Sequence, residues 1–435
     1  MIPVLVGAGQ VVRRPGEPVP DLDGMLSLAV AAAVDDAGPG GDDLLRRVSW
    51  VGVPEGAWSH PDPGRVVAPS AWSVESRVGV LQQELIDRAI AAVVSGGAPA
   101  ALVVGAEVAH GGSGGAATAV ASARRGDTAP DELLETHDFG ISPLEFSSGL
   151  YEAPLAYALL ESAWGAAQGW SAATHRARLD ELQASFAAVA ASNPYAWSRG
   201  AAAVEDRMVA EPYTKLCCSN MRVNMGAALL LTTVDVARAA GIAEDRWVYP
   251  WAGAVANQAV PVVQRPSLSS SPNVTAVFDA LPALDAVAHV DLYSCFPIAV
   301  QVAAAALGRS PLGATVTGGM TYAGGPLNSY ALHGLATMAS VLRADPGSLG
   351  LVTSVSGFLT KYGGSVWSTT PPPAPWSGLD VTAAASGDRR AEAEVGSLVG
   401  PVSVVASTVE HGRDGSRRQW AVVEDADGTR SVSKG

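Results

Sequence analysis

Few side chains in this sequence are suited to chemistry, and their spacing already narrows what that chemistry can be. Of the three cysteines, Cys217 and Cys218 are adjacent and Cys295 stands alone. They cannot build a disulfide framework, and no Cys-x-x-Cys or paired His/Cys spacing of the zinc type occurs. A thiolate is a soft, reversible nucleophile and a thiol is not. Cys295 reads foremost as a small packing side chain. Cys217 and Cys218, taken as strand neighbours, point to opposite faces, so at most one can reach a given cavity. Glycines cluster at Gly318-Gly319 and Gly324-Gly325 ahead of a helical pattern, which lets backbone approach a ligand closely. Tyr293 is with equal weight a hydrogen-bond donor to a carbonyl oxygen or a ring filling a slot. Ser354 and Ser356 become nucleophiles only beside a base, and the sequence places none there. His333, on the helix after the glycines, reads as a core histidine. Lys361 reads as a solvated lysine, with a phosphate or carboxylate contact as the alternative.

Composition bounds the rest. Of the 435 residues, 48% are apolar and 16% charged, enough to bury a large core and too apolar for general disorder. The net charge of −14, with no dense Lys/Arg run, excludes a phosphate backbone or an anionic membrane as the main partner. The opening Met1-Ile-Pro-Val-Leu-Val-Gly lacks a basic region, an apolar stretch and a cleavage site in series. No uncharged apolar run reaches the roughly 18 residues that span a bilayer. The expectation is a cytoplasmic protein with neither a membrane span nor a nucleic-acid partner.

The elements that must position these groups alternate between short β-branched runs and Ala-rich helical patterns, which predicts an α/β fold with buried strands. The spacing predicts strands at Val4–Gly7, Ala101–Glu107, His289–Tyr293 and Leu349–Ser354. Helices are predicted at Leu26–Ala37, Leu81–Val94, Pro154–Gly165, Thr174–Ala191, Ile298–Leu307 and Ala331–Leu342. The order "helix, glycine stop, apolar strand, small-residue loop" occurs near 81–107 and again near 331–357. This is either a weak internal duplication or two unrelated strands of like composition. Between them lie a Gly/Ser-rich loop at Gly111–Ala116 and a charged segment at Asp127–Glu135. The Pro371–Pro375 run reads as a stiff linker, followed by runs with hairpin signals at Arg413-Asp-Gly415 and Asp427-Gly428.

Thr317-Gly-Gly-Met-Thr-Tyr-Ala-Gly-Gly-Pro326, taken with Asp291-Leu-Tyr-Ser-Cys-Phe-Pro297 and Leu351–Lys361, resembles the thiolase superfamily. The closest group is the sterol-carrier-protein type, and within it the bacterial type 1 thiolase-like proteins called acetyl-CoA acetyltransferases. Pro212-Tyr-Thr-Lys-Leu-Cys-Cys-Ser-Asn220 with Asn224-Met-Gly-Ala-Ala-Leu, and Gly105-Ala-Glu107, resemble further family elements. The resemblance covers residues 1 to about 370. It implies a five-layered αβαβα core of two similar halves, with residues 1–250 as the first half, a loop-domain insert at about 110–225, and 251–370 as the second half. Residues 376–435 are expected to form a small antiparallel β domain.

The resemblance also implies a chemistry that this sequence does not carry in the usual form. The family's acyl-accepting cysteine would fall near Gly79, where Ser76-Arg-Val-Gly-Val-Leu-Gln82 holds none, and its histidine falls at Gly325. The second cysteine is replaced within Ser354-Val-Ser-Gly357, and the oxyanion element is Tyr293-Ser-Cys-Phe296. A glycine cannot carry an acyl group, so ordinary thiolysis is not expected. The site residues implied are Tyr293, Ser356 and Gly325 at catalytic positions, with Gly318, Gly319 and Gly324 lining the ligand. Lacking an imidazole, Gly325 is expected to leave empty volume. The ligand implied is CoA or an acyl-CoA thioester rather than a permanently bound cofactor, and no metal. Two functions remain open: a cysteine-independent acyltransferase, or a catalytically silent relative that binds acyl-CoA or a protein partner through its C-terminal domain. The state is a monomer or a homodimer through the core.

Overall fold

The computed structural model describes residues 1–110, 129–136, 138–199 and 207–435. The Gly/Ser-rich loop at Gly111–Ala116 and the first two residues of the charged segment fall outside them. In chain order the first half contributes strands β1 (Pro3–Val12), β2 (Val48–Pro54), β3 (Trp72–Ser76), β4 (Ala100–Val108) and β5 (Glu132–Leu134). Then come β6 (Met208–Ala210), β7 (Tyr213–Thr214) and β8 (Asn224–Thr233). The second half adds β9 (Tyr249–Ala256), β10 (Val287–Asp291), β11 (Leu349–Ser356), β12 (Lys361–Ser368) and β13 (Gly378–Asp380). The chain ends with β14 (Ser403–His411), β15 (Arg417–Glu424) and β16 (Arg430–Lys434).

Two core sheets have the orders β1-β8-β4-β2-β3-β5 and β10-β11-β12-β9-β13. The duplication suggested by the pattern is real in this topology. The run β1-β8-β4-β2 is antiparallel, antiparallel, then parallel, and β9-β12-β11-β10 repeats those senses. Helices Gln82–Val94 and Tyr330–Ala344, which precede β4 and β11, form the middle layer and pack against both sheets. Their strands are buried on both faces, which is why they read as apolar runs rather than alternating ones. Helix Leu22–Ala37 covers the outside of the first sheet, and Pro272–Ala280 covers the second. The first of these starts where Asp21 accepts from the Gly24 N–H at 2.9 Å. It lies directly on β1 because a Cβ at Gly9 would stand 2.2 Å from Ala33 N. This is the five-layered αβαβα core.

The insert helices Ala153–Ala167 and Ala172–Ser192 are tied to the core through a buried carboxylate. Glu161 pairs with His175 Nε2 at 2.6 Å and accepts from the Tyr213 hydroxyl at 2.7 Å and from Gln301 Nε2 at 2.9 Å. A buried charge needs this kind of full satisfaction.

The end of the chain is woven into the rest more closely than the Pro run suggests. Immediately after it, β13 adds a parallel edge strand to the second core sheet. The antiparallel hairpins at β14–β16 are present, but their sheet continues through β14–β6 to β7 of the insert, in the order β16-β15-β14-β6-β7. Its inner face, Ala406, Trp420, Val422 and Val432, belongs to the same apolar cluster as the second half of the core.

Candidate functional site

Gly79, where the resemblance would put the family nucleophile, lies just before the middle-layer helix Gln82–Val94, and its surroundings are crowded. Gly79 has φ +102, a conformation that side chains rarely adopt. A Cβ there would stand 2.6 Å from Phe139 Cε1 and 2.7 Å from Thr136 Cγ2. The Gly79 carbonyl accepts from Lys361 Nζ at 3.0 Å, and that ammonium also donates to Thr136 Oγ1 at 2.7 Å. Lys361 is therefore not solvated: it is buried at the start of β12 with no ion-pair partner within reach among the described residues, and burial lowers its pKa. Its two acceptors, Gly79 and Thr136, are what sequence reasoning missed, since both lie more than two hundred residues away.

At the first residue of that helix, Gln82 Oε1 accepts from the Ala331 N–H at the start of the second middle-layer helix, and its side chain meets the Tyr293 hydroxyl. Tyr293 is buried, its ring edge-on to Tyr330 at 5.5 Å, and its N–H donates to Thr353 Oγ1 at 2.8 Å. Burial raises the Tyr293 hydroxyl well above its ordinary pKa, so it is a neutral donor. Ser356 ends β11 half-buried, and its carbonyl accepts from Thr360 Oγ1 at 3.2 Å.

The glycine-rich loop satisfies itself. The N–H groups of Gly318 and Gly319 donate to Thr315 Oγ1 at 3.0 and 3.2 Å. Thr315 and Thr317 in turn donate to the buried Asp291 Oδ1 at 2.8 and 3.1 Å. Gly324, with φ +106, lies against Met225 and Val223. The empty volume expected at Gly325 is not there. A Cβ at Gly325 would meet Met320 Cε and Ser219 Cβ at 3.1 Å, and its N–H donates to Asn220 O at 2.9 Å. A flexible methionine has closed the space that an imidazole would take.

None of the thiols is poised as a nucleophile. Cys217 lies on a 3₁₀ turn, Lys215–Cys217, rather than on the expected strand, and both it and Cys218 are buried. Burial pushes Cys217 and Cys295 up to about 12 and Cys218 up to about 11, so all three are protonated at neutral pH. His333 is a core histidine, as its pattern suggested: Nδ1 pairs with Gln10 Oε1 at 3.1 Å, and burial lowers it to about 3. Glu107 at the end of β4 accepts from the Ala57 N–H at 2.9 Å and is pushed up to about 7 by burial. Among the described residues no cluster of three or more His, Cys, Asp or Glu can hold a metal, and no helix is long and apolar enough to cross a membrane.

No protein-family model matches the sequence, and no curated protein matches it. Among solved structures the chain is similar to a monomeric SCP2-thiolase-like protein type 1 from Mycobacterium smegmatis. The identity is 27% and the TM-score 0.79, over 100% of this chain and 91% of that one. It is also similar in fold to a chain of an Ltp2–ChsH2(DUF35) aldolase, at 16% identity and a TM-score of 0.62, over 84% of this chain and 97% of that one. The core topology, the motifs along it and the whole-chain likeness agree: the chain has the fold of an SCP2-thiolase-like protein, a thiolase-like core with an additional C-terminal β domain.

Proposed function

We propose that this protein binds CoA or acyl-CoA thioesters in acyl-CoA metabolism without cysteine-dependent acyl transfer. The observation that carries the reading is the crowding at Gly79, where the resemblance puts the nucleophile: Phe139 and Thr136 press on it, and its carbonyl is bound to the Lys361 ammonium. Covalent thioester exchange needs a thiolate within reach of the substrate carbonyl. Cys217 and Cys218 are buried, Cys295 is half-buried, and all three are held protonated, which supports the silent form of the site with respect to thiolysis.

A second reading rests on Tyr293, whose neutral, buried hydroxyl beside Gln82 is suited to donate to a thioester carbonyl oxygen in a cysteine-independent acyl transfer or carbon–carbon cleavage. One set of measurements separates the two. Purified protein is assayed for thiolysis of acetoacetyl-CoA, with and without iodoacetamide, and acetyl-CoA binding is followed by calorimetry. The proposal expects saturable binding and no thiolysis above background. Iodoacetamide-sensitive thiolysis would overturn it and point to Cys217, Cys218 or Cys295. Turnover that survives alkylation and disappears in Tyr293→Phe would favour the second reading.

A further inference from the structure

The turn that leads from β11 to Lys361 has a second side, and it borders a half-enclosed cavity of about 160 Å³ between the start of helix Pro272–Ala280 and the segment that follows β13. Its walls are largely apolar, with Val260, Leu359 and Ala385 among them, and Arg265 lines it. Arg265 is only 8% exposed. Its Nε donates to Val260 O at 3.1 Å and Nη2 to Phe358 O, but Nη1 has no hydrogen-bond partner among the described residues and is not sealed from the cavity. Among the described residues no carboxylate forms an ion pair with it. Glu145 acts on it only at longer range, and that carboxyl is itself pushed up to about 7 by burial, so it is partly neutral at physiological pH. A buried cation with an unspent donor is costly unless an anion or acceptor reaches it. The helix that begins at Pro272 places its positive end on the same cavity. Asp388 stands exposed at the rim, where water screens its repulsion of an anion seated deeper.

We propose that this cavity binds a small monocarboxylate with an apolar body, its carboxylate on Arg265 Nη1 and its hydrocarbon against Val260, Leu359 and Ala385. The volume sets the size. A cavity of about 150 Å³ accommodates benzene, so the ligand has roughly six to nine non-hydrogen atoms. This site is distinct from the Gly79–Lys361 position and does not depend on how that position functions.

The test uses the full chain and hexanoate as probe, with hexan-1-ol as its uncharged counterpart, both titrated by calorimetry or protein-observed NMR. Hexanoate is expected to saturate, and hexan-1-ol to bind at least about tenfold more weakly, as a charge-assisted hydrogen bond implies. Val260→Phe fills the cavity and abolishes hexanoate binding at an unchanged unfolding midpoint. Ala385→Leu does the same from the opposite wall should the first variant fold poorly. Arg265→Gln removes the preference for hexanoate over the alcohol. Absence of saturable hexanoate binding, equal binding of the alcohol, or undiminished binding in a folded cavity-filling variant overturns the proposal.

Discussion

Gly79→Ala is the most direct probe of the crowded turn before the middle-layer helix Gln82–Val94. The substitution asks a side chain to occupy φ +102, which costs about 1–2 kcal/mol for an ordinary residue in the left-handed half of the map. It also drives a Cβ to 2.6 Å from Phe139 and 2.7 Å from Thr136, an overpacking of about 1–3 kcal/mol. The expected loss is therefore about 2–5 kcal/mol, read as a lower midpoint in urea. Phe139 is 46% exposed, so its ring can be removed without opening the core. In Gly79→Ala/Phe139→Ala much of the steric part should return while the backbone part persists, leaving a coupling energy between the two sites. A second arm tests function at the same place. In Gly79→Cys/Phe139→Ala the new thiol would sit within a few ångströms of the Lys361 ammonium, which lowers a thiol pKa. Iodoacetamide should then label position 79 faster than the three native cysteines, whose thiols are held protonated. A Gly79→Ala protein within about 0.5 kcal/mol of the parent, the usual range for an unconstrained surface change, would refute the packing argument.

The remaining predictions rest on separate features. Truncation after Pro375 removes β13 from the core sheet and strips Trp420, Val422 and Val432 from the shared core, so the shortened protein should be insoluble; a soluble, cooperatively unfolding product would contradict that. Asp87, half-buried and packed against Gly253, is pushed up to about 8 by desolvation. The folded state therefore holds a proton there that the unfolded chain releases near pH 4. This contribution to stability is complete below about pH 4 and lost as pH rises through 8, at no more than about 1.4 kcal/mol per pH unit. Asp87→Asn should gain on the parent in thermal midpoint between pH 5 and pH 8, and an equal difference at both would argue against it. Finally, β5 covers the outer edge of β3 in the first core sheet, so light scattering should report a monomer of 44.2 kDa, and a dimer that survives dilution would show that another face pairs.

Much of the architecture was legible because it depends on periodicity. The helices at Leu81–Val94 and Ala331–Leu342 were placed within two residues of their observed ends, since long apolar stripes and glycine stops leave little choice. The duplication could be seen only as a grammar; the matching strand senses that establish it are a property of pairing, not of either segment. The site was less legible, for different reasons at each residue. Lys361 carries a charge in a polar-looking run, and nothing local indicates that Gly79 and Thr136 will receive it. The gap left at Gly325 was closed by Met320, five residues back, whose flexible side chain has no periodic signature. The Pro371–Pro375 run suggested a boundary, yet the three-residue strand β13 just beyond it is too short to register as alternation. Arg265 became noticeable only once its neighbours showed which of its nitrogens were spent.

The sheet that joins β6 to β14 imposes an order on synthesis. Ala210 pairs with Glu410, so the strand from the insert emerges long before its partner exists. At roughly 5–20 residues per second, about 10–40 s of translation separate the two. Throughout that interval the helix Ala153–Ala167 lacks the cover that β14 later provides, and β6 presents an unpaired edge. The nascent chain is consequently most exposed to aggregation and to holding chaperones when nearly all of it has been made. The last thirty residues act as the closing step of folding: a stop codon anywhere before β14 should be felt first as a loss of soluble protein, whatever ligand the finished molecule binds.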